Sequence, residues 1–359
     1  MRFPFYIKLS FILLSISIIL FMMYIGQHIL IPILLSLLFA VLLNPLTLFL
    51  NRRIKIPYAI SSIISVTVFI LFIAVVIFFV SWQMGDIVND WENIKKNISI
   101  HYHHIQQWIK NNYHISYKKQ DIYVKQVSAD PLSADSEIVG QTLNSISDLL
   151  LNFILIPIYT FLFLLYKTLF INFLHKLVKI EQSLKLQDIL HQIKLTIQSY
   201  LVGLIIEMVI VAVLTSAGLM IIGVQYPILL GILTAVLNLI PYIGILVAAV
   251  LSVIATLSGS SDITVMAGVI IVNIIVQLID NNILVPMVVS SKVKINALAS
   301  IVCIIIGGAI AGVAGMFMAI PISAILKVIF DRIESLKPWG YLLGDNHTEI
   351  PQIELKKEK

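Results

Sequence analysis

Charge is what this chain lacks most: 12% of its 359 residues are charged, while 59% are hydrophobic. A soluble domain carries about 25% charged residues, so most of this chain must lie in lipid or pack against it. Cysteine occurs once, as Cys303 inside an apolar run, which excludes an intrachain disulfide and leaves the redox compartment unmarked. Acidic residues are absent before Asp86. The basic residues lie at helix ends rather than in one patch, so the net charge of +5 is no signal for nucleic acid. No Gly-rich phosphate loop, Walker motif or Gly-x-Ser-x-Gly elbow occurs, so an ATPase or a serine hydrolase has no support. No catalytic residue and no cofactor are assigned.

The long apolar runs are what remain. No charge occurs from Leu9 to Leu50. One helix of that length would reach about 60 Å, twice the hydrocarbon thickness, so the stretch must be two spans, with Gly26, Gln27 and His28 at the turn. Arg2 and Lys8 before the run from Ser10 to Ile25 read as an uncleaved signal anchor. Asn51-Arg52-Arg53-Ile54-Lys55 is a basic loop, and residues 58–80 are a third span. The positive-inside rule puts the N-terminus and that loop in the cytoplasm.

Residues 81–148 then fall outside. Apolar residues recur there at Met84, Ile87, Trp91, Ile94, Ile98, Ile105 and Trp108, an amphipathic helix that packs on a neighbour or on itself. Asp130-Pro131-Leu132-Ser133 reads as a turn. His101, His103, His104 and His114 have no zinc-like spacing and read as a solvated face, so no metal is assigned. A fourth span covers 149–166. Residues 167–197 carry Phe170, Phe173, Leu177, Ile180, Leu184, Ile189, Ile193 and Ile197 on one stripe with lysines between, the pattern of a cytoplasmic interfacial helix.

Isolated charges mark the rest. Between Lys194 and Asp262 the only formal charge is Glu207, and between Asp262 and Lys292 it is Asp280. A carboxylate at the centre of a membrane helix costs roughly 2.5–3.5 kcal/mol on insertion scales, so it seldom stays without a partner or a task. Asp280, Asn281 and Asn282 with Pro286 combine polar groups with a helix break. They line a transport site, or Asp280 ends a span and contacts headgroups. Glu207 either couples transport to a proton or pairs structurally with Gln198. Asn238, Pro241 and Gly244 put a second amide and break at membrane depth, for substrate contact or for a packed kink. Gly307, Gly308, Gly312 and Gly315, with Pro321 after them, are spaced for close helix packing.

Simple counting gives about eight spans. That count puts Lys292 and Lys294 outside, against the positive-inside rule. Reading 226–256 and 297–321 as re-entrant hairpins from opposite faces removes the conflict. The expected fold is an all-α multi-pass integral membrane protein of about six spans plus two re-entrant hairpins, with amphipathic interfacial helices. Its expected segments are an N-terminal three-span region (1–80), an extracytoplasmic amphipathic region (81–148), a fourth span with an interfacial helix (149–197), a transport domain of broken helices (198–335) and a cytoplasmic polar tail (336–359).

The motifs from Gly223-Val-Gln-Tyr-Pro227 to Asn238-Leu-Ile-Pro-Tyr-Ile-Gly244, then Asp280-Asn281-Asn282-Ile-Leu-Val-Pro286, then Gly307-Gly308 to Pro321, resemble the signature of the AI-2E (autoinducer-2 exporter-like, PerM-type) transporters. The order and spacing match along the chain, and the specific motifs lie in its C-terminal half. The resemblance implies a multi-pass bacterial inner-membrane secondary transporter without ATP hydrolysis; both termini are expected in the cytoplasm, the N-terminus from the positive-inside rule. It implies a homo-oligomer, pentamers being described in the family. Its partners would be the lipid bilayer and a small polar organic solute such as autoinducer-2, for export. The alternative is a monovalent cation exchanged for a proton, against which the sparse acids count, because cation sites usually cluster several oxygen ligands. The alternative from another class is a non-transporting membrane scaffold acting through 81–148.

Overall fold

A computed structural model describes residues 4–113, 116–117, 153–240, 243–257, 259, 262–290 and 295–345. Pro241, His114, Lys292, Lys294, the turn at 130–133 and the tail from 346 onward lie outside the described residues. The described chain is helical throughout: α1 (Phe5–Ile25), α2 (Gln27–Arg53), α3 (Tyr58–Asn89), α4 (Trp91–Tyr113), α5 (Phe153–Leu165), α6 (Lys167–Leu177), α7 (Ser183–Ile222), α8 (Pro227–Asn238), α9 (Ile243–Thr256), α10 (Ile263–Ile279), a π-helical segment (Asp280–Ser290), α11 (Ala297–Arg332) and α12 (Lys337–Leu343). No named strand occurs among the described residues, only an isolated bridge between Ile295 and Gly344.

Among the described residues five segments are long and apolar enough to cross a membrane: Gln27–Arg53, Tyr58–Ile87, Ile180–Ile222, Ile263–Met287 and Ala297–Arg332, the last of which is broken within its length. The bent pair α5 and α6, which meet at 66°, makes a sixth. This is a multi-pass helical membrane protein. Backbone polar groups satisfied within each helix are what hydrocarbon requires.

Several boundaries differ from those read in the sequence. Gly26 alone separates α1 from α2. α3 runs on to Asn89 rather than stopping at 80, and helix resumes at Trp91. Along the α4 stripe Ile94 is buried, whereas Trp91, Ile98 and Trp108 are exposed. The single interfacial helix expected over 167–197 is not one helix. α6 ends at Leu177, a short 3-10 turn covers Ile180–Gln182, and α7 then runs unbroken from Ser183 through Ile222. The apolar stripe stays in phase across that break, so periodicity did not mark it.

Contacts divide the chain into two units. The first comprises Met1–Pro45, Leu162–Leu204 and Pro286–Lys359. Within it, Lys167 Nζ donates to Asn44 Oδ1 at 3.0 Å, and Arg332 pairs with Asp188 at 2.6 Å. α11 is not a straight rod. Ala311 (φ −141°, ψ 24°) and Gly312 (φ 54°, ψ −140°) leave helical geometry, and Gly307 and Gly315 come back to back. In a continuous helix residues eight apart would be separated by about 12 Å, so the chain turns back here as a helical hairpin. A Cβ on either Gly307 or Gly315 would run into the other's carbonyl. The backbone at Gly312 is open to glycine and strained for other residues. The hairpin is clipped at its start: Asn296 Oδ1 accepts from Ala299 N at 2.8 Å, while its Nδ2 donates to Leu342 O at 2.7 Å and Gly344 O at 3.1 Å.

The second unit comprises Leu46–Phe161 and Ile205–Val285. Here α8, which ends at Asn238 before a turn at Leu239 and Ile240, and α9 pack on each other. They are 12 and 14 residues long, about 18 and 21 Å, too short for either to span about 30 Å of hydrocarbon. Leu219, Val224, Leu230, Ala255 and Val269 form one apolar cluster of α7–α10, and Val211, Ala235, Val276 and Leu284 form a second.

Candidate functional site

The second unit gathers three of the polar residues expected at membrane depth. Glu207 lies on α7, Asn238 ends α8, and Asp280 follows α10 directly. Asn238 Nδ2 donates to Glu207 Oε1 at 3.3 Å and to Asp280 Oδ2 at 3.0 Å. The two carboxyl groups adjoin each other as well. Glu207 is 5% and Asp280 3% exposed. One amide nitrogen thus joins two buried carboxyls carried by different helices. Asp280 Oδ1 has no hydrogen-bond partner among the described residues.

The backbone explains why Asn238 reaches this place. Pro227 starts α8 at a position where a missing amide costs nothing. Gly231 lies against Ala212 and Ser216 of α7, with no room there for a Cβ. Gly244 lies against Leu237 and Asn238, where a Cβ would strike the Leu237 carbonyl. The tight return of α9 onto the end of α8 therefore fixes the level of Asn238 against α7. On α10, Val269 and Val276 face the same seam, and one turn beyond Val276 brings Asp280 to it.

The other expected residues are placed differently. Asn281 and Asn282 are exposed: Gln277 Nε2 donates to Asn281 Oδ1 at 2.9 Å, and Asn282 Nδ2 donates to Leu278 O at 2.8 Å. Neither joins the carboxyl pair. Pro286 lies inside the π-helical segment. Gly307, Gly308, Gly312 and Gly315 belong to the α11 hairpin of the first unit, where Gly308 meets Met316 and Pro321 is buried. Gln198, considered as a partner for Glu207, is replaced in that role by Asn238.

Sequence reasoning missed a second polar cluster, outside the apolar helices. Tyr226 Oη donates to Asp90 Oδ2 at 2.5 Å, and Gln225 Nε2 donates to the same oxygen at 3.0 Å. Asn97 Nδ2 donates to Leu257 O at 2.6 Å. The start of α4 and the residue before it thus tie down both ends of the α8–α9 hairpin. Burial pushes the Tyr226 phenol up to about 12, with the Asp90 hydrogen bond adding to the effect. The pattern could have signalled this pair, because a polar Gln-Tyr before Pro227 faces an acidic residue at the break between α3 and α4. Among the described residues no group of three or more His, Cys, Asp and Glu side chains could hold a metal ion.

Residues 13–335 match the model of the AI-2E family transporters. The chain belongs to the AI-2E family. Among AI-2E relatives, YueF of Bacillus subtilis, a candidate transport protein by name, is 33% identical over 39% of this chain and 38% of its own. YrrI of the same organism is 31% identical over 36% of each chain. YhhT of Escherichia coli, also named for transport, is 21% identical over 92% of this chain and 93% of its own. The matched stretch therefore spans little more than a third of the two Bacillus relatives. Membership of the AI-2E family makes this a protein of a transporter family.

Proposed function

We propose that this chain is a secondary transporter of the bacterial inner membrane, with cytoplasmic termini, that exchanges a proton for Na⁺ or Li⁺ at Glu207, Asn238 and Asp280. The observation that carries the reading is the burial of two carboxyls on one amide nitrogen among apolar helices. Two ionised carboxylates that share one amide donor repel strongly where the dielectric is low, and at membrane depth neither is tolerated without compensation. A single proton or a single small cation between them removes the repulsion. One cation arriving then displaces one proton, and the cluster keeps its net charge. The sparse acids along the sequence counted against a cation site; the fold supplies two of them at one place.

Export of a small polar organic solute resembling autoinducer-2 is the second reading, favoured by the family match. Its expected ligands Asn281 and Asn282 stand apart from the carboxyl pair, so it draws less on the geometry. The working unit we assign is a homo-oligomer, with exposed apolar side chains on α4 and α6 as its contact surfaces. A scaffold acting through 81–148 is the remaining alternative.

Reconstituted liposomes holding a pH gradient and a trapped pH dye separate these readings. The exchange reading expects the gradient to collapse on addition of NaCl or LiCl, and expects no collapse with Glu207→Gln or Asp280→Asn. A gradient indifferent to both salts, with solute efflux lost in the same variants, would favour the organic solute. Variants that behave as wild type in every assay would leave the scaffold.

A further inference from the structure

Hydroxyl groups in apolar helices usually return their hydrogen to the carbonyl four residues earlier. Ser36, Ser62, Ser65, Thr160, Thr256 and Ser323 do so here. Thr215 Oγ1 and Thr234 Oγ1 do not. They have no partner among the described residues, although Thr215 is 0% and Thr234 7% exposed. An unpaired hydroxyl buried this deeply is costly, so its retention calls for a ligand or a task.

Both face the seam that holds the carboxyl pair. On α7, Thr215 lies one turn from Val211 and one turn from Leu219. Val211 clusters with Ala235 and Val276, and Leu219 with Leu230 and Val269, so this stripe of α7 faces α8 and α10. On α8, Thr234 lies one turn from Leu230 and one turn from Asn238, which face the same seam. α7 and α8 run antiparallel, since Glu207 meets Asn238 while Ala212 and Ser216 meet Gly231. Thr215 therefore stands near the level of Leu230, Thr234 a turn further along, and the carboxyl pair a turn beyond that, with steps of about 5.4 Å. Of the four unpartnered buried atoms among the described residues, three are Thr215 Oγ1, Thr234 Oγ1 and Asp280 Oδ1, all in this seam.

We infer that Thr215 and Thr234 are successive oxygen ligands along the path by which a monovalent cation reaches Glu207 and Asp280. This rests on the exchange reading of that site. The hydroxyl oxygens supply hard, neutral donors between the apolar cluster around Leu219 and the charged end of the seam. They take over part of the cation's hydration shell before the carboxyl pair completes it.

The test uses Thr215→Val and Thr234→Val, which replace each hydroxyl by a methyl group of nearly the same shape. The full-length protein in liposomes is titrated with NaCl and with LiCl, and its melting temperature is measured in parallel. We expect melting temperatures equal to or above that of wild type, because an unpaired buried hydroxyl has been removed. We expect the half-saturating cation concentration to rise about tenfold in each variant, the loss of one modest ligand, and Thr234→Ser to restore it. Unchanged half-saturation in stable variants would overturn the path while leaving the carboxyl site intact. Lower melting temperatures with no rescue by serine would make both residues packing elements and overturn it also. If wild-type protein shows no cation-dependent proton movement, the exchange reading fails and the path with it. If wild type exchanges and Asp280→Asn does not, the threonine variants judge the path alone.

Discussion

Asn238 is the residue on which the polar centre of the second unit depends, because it is the shared donor to two carboxyls. Hydrogen bonds to charged groups contribute about 1.5–3 kcal/mol each, and losing the donor leaves buried acceptors unsatisfied. Asn238→Ala should therefore destabilise the detergent-solubilised protein by about 2 kcal/mol or more, read as a fall in its thermal midpoint. Tyr226 gives a pH signature. Its phenol holds its proton to about 12 in the folded protein against 10.0 ordinarily. The associated stability is fully present below pH 10 and is lost as pH rises through about 12. Thermal midpoints followed across that window should fall more steeply for wild type than for Tyr226→Phe. At this scale the sequence was partly legible. Glu207, Asn238 and Asp280 stood out as rare polar groups in apolar runs. Their meeting was not legible, since it depends on the antiparallel register of α7 and α8. Asn281 and Asn282 were drawn in by adjacency, yet neighbours one and two positions along a helix do not share a face.

Helix breaks carry the element scale. Gly312 has a φ of 54°, and Gly307 and Gly315 touch through their backbones. Gly315→Val should force the two arms of α11 apart and lower stability by about 1–3 kcal/mol, the usual range for overpacking. Gly312→Ala should also destabilise, through backbone strain alone, because space around it is free. A denaturation series in detergent would rank these two against wild type. Asn296→Ala should unclip the start of the same hairpin, with a loss of about 1–2 kcal/mol from the missing cap, and should speed proteolysis near Gly344. The two hairpins were read from the conflict between simple span counting and the sidedness of Lys292 and Lys294, whereas the glycines of 307–315 were read as packing residues and Gly312 as a turn was not legible. The break between α6 and α7 carried no mark in the sequence. Nor did the continuity of α7 from Ser183 to Ile222, since a helix keeps one period whether water or lipid surrounds it.

The whole molecule is governed by its shortage of charge. Among the described residues, five apolar segments long enough to cross a bilayer, or six with the bent pair, follow directly from runs that the composition already implied. The family match over residues 13–335 agrees with that reading. What the runs could not reveal is where the two buried carboxyls would meet, and that meeting is the basis of the exchange proposed here. It can be measured without any transport assay. Unbuffered, detergent-solubilised protein is titrated with NaCl or LiCl while a pH dye reports released protons. Release should approach one proton per chain, saturate with cation and be absent from Glu207→Gln and Asp280→Asn. Equal release from those variants, or none from a folded and transporting wild type, would contradict the exchange.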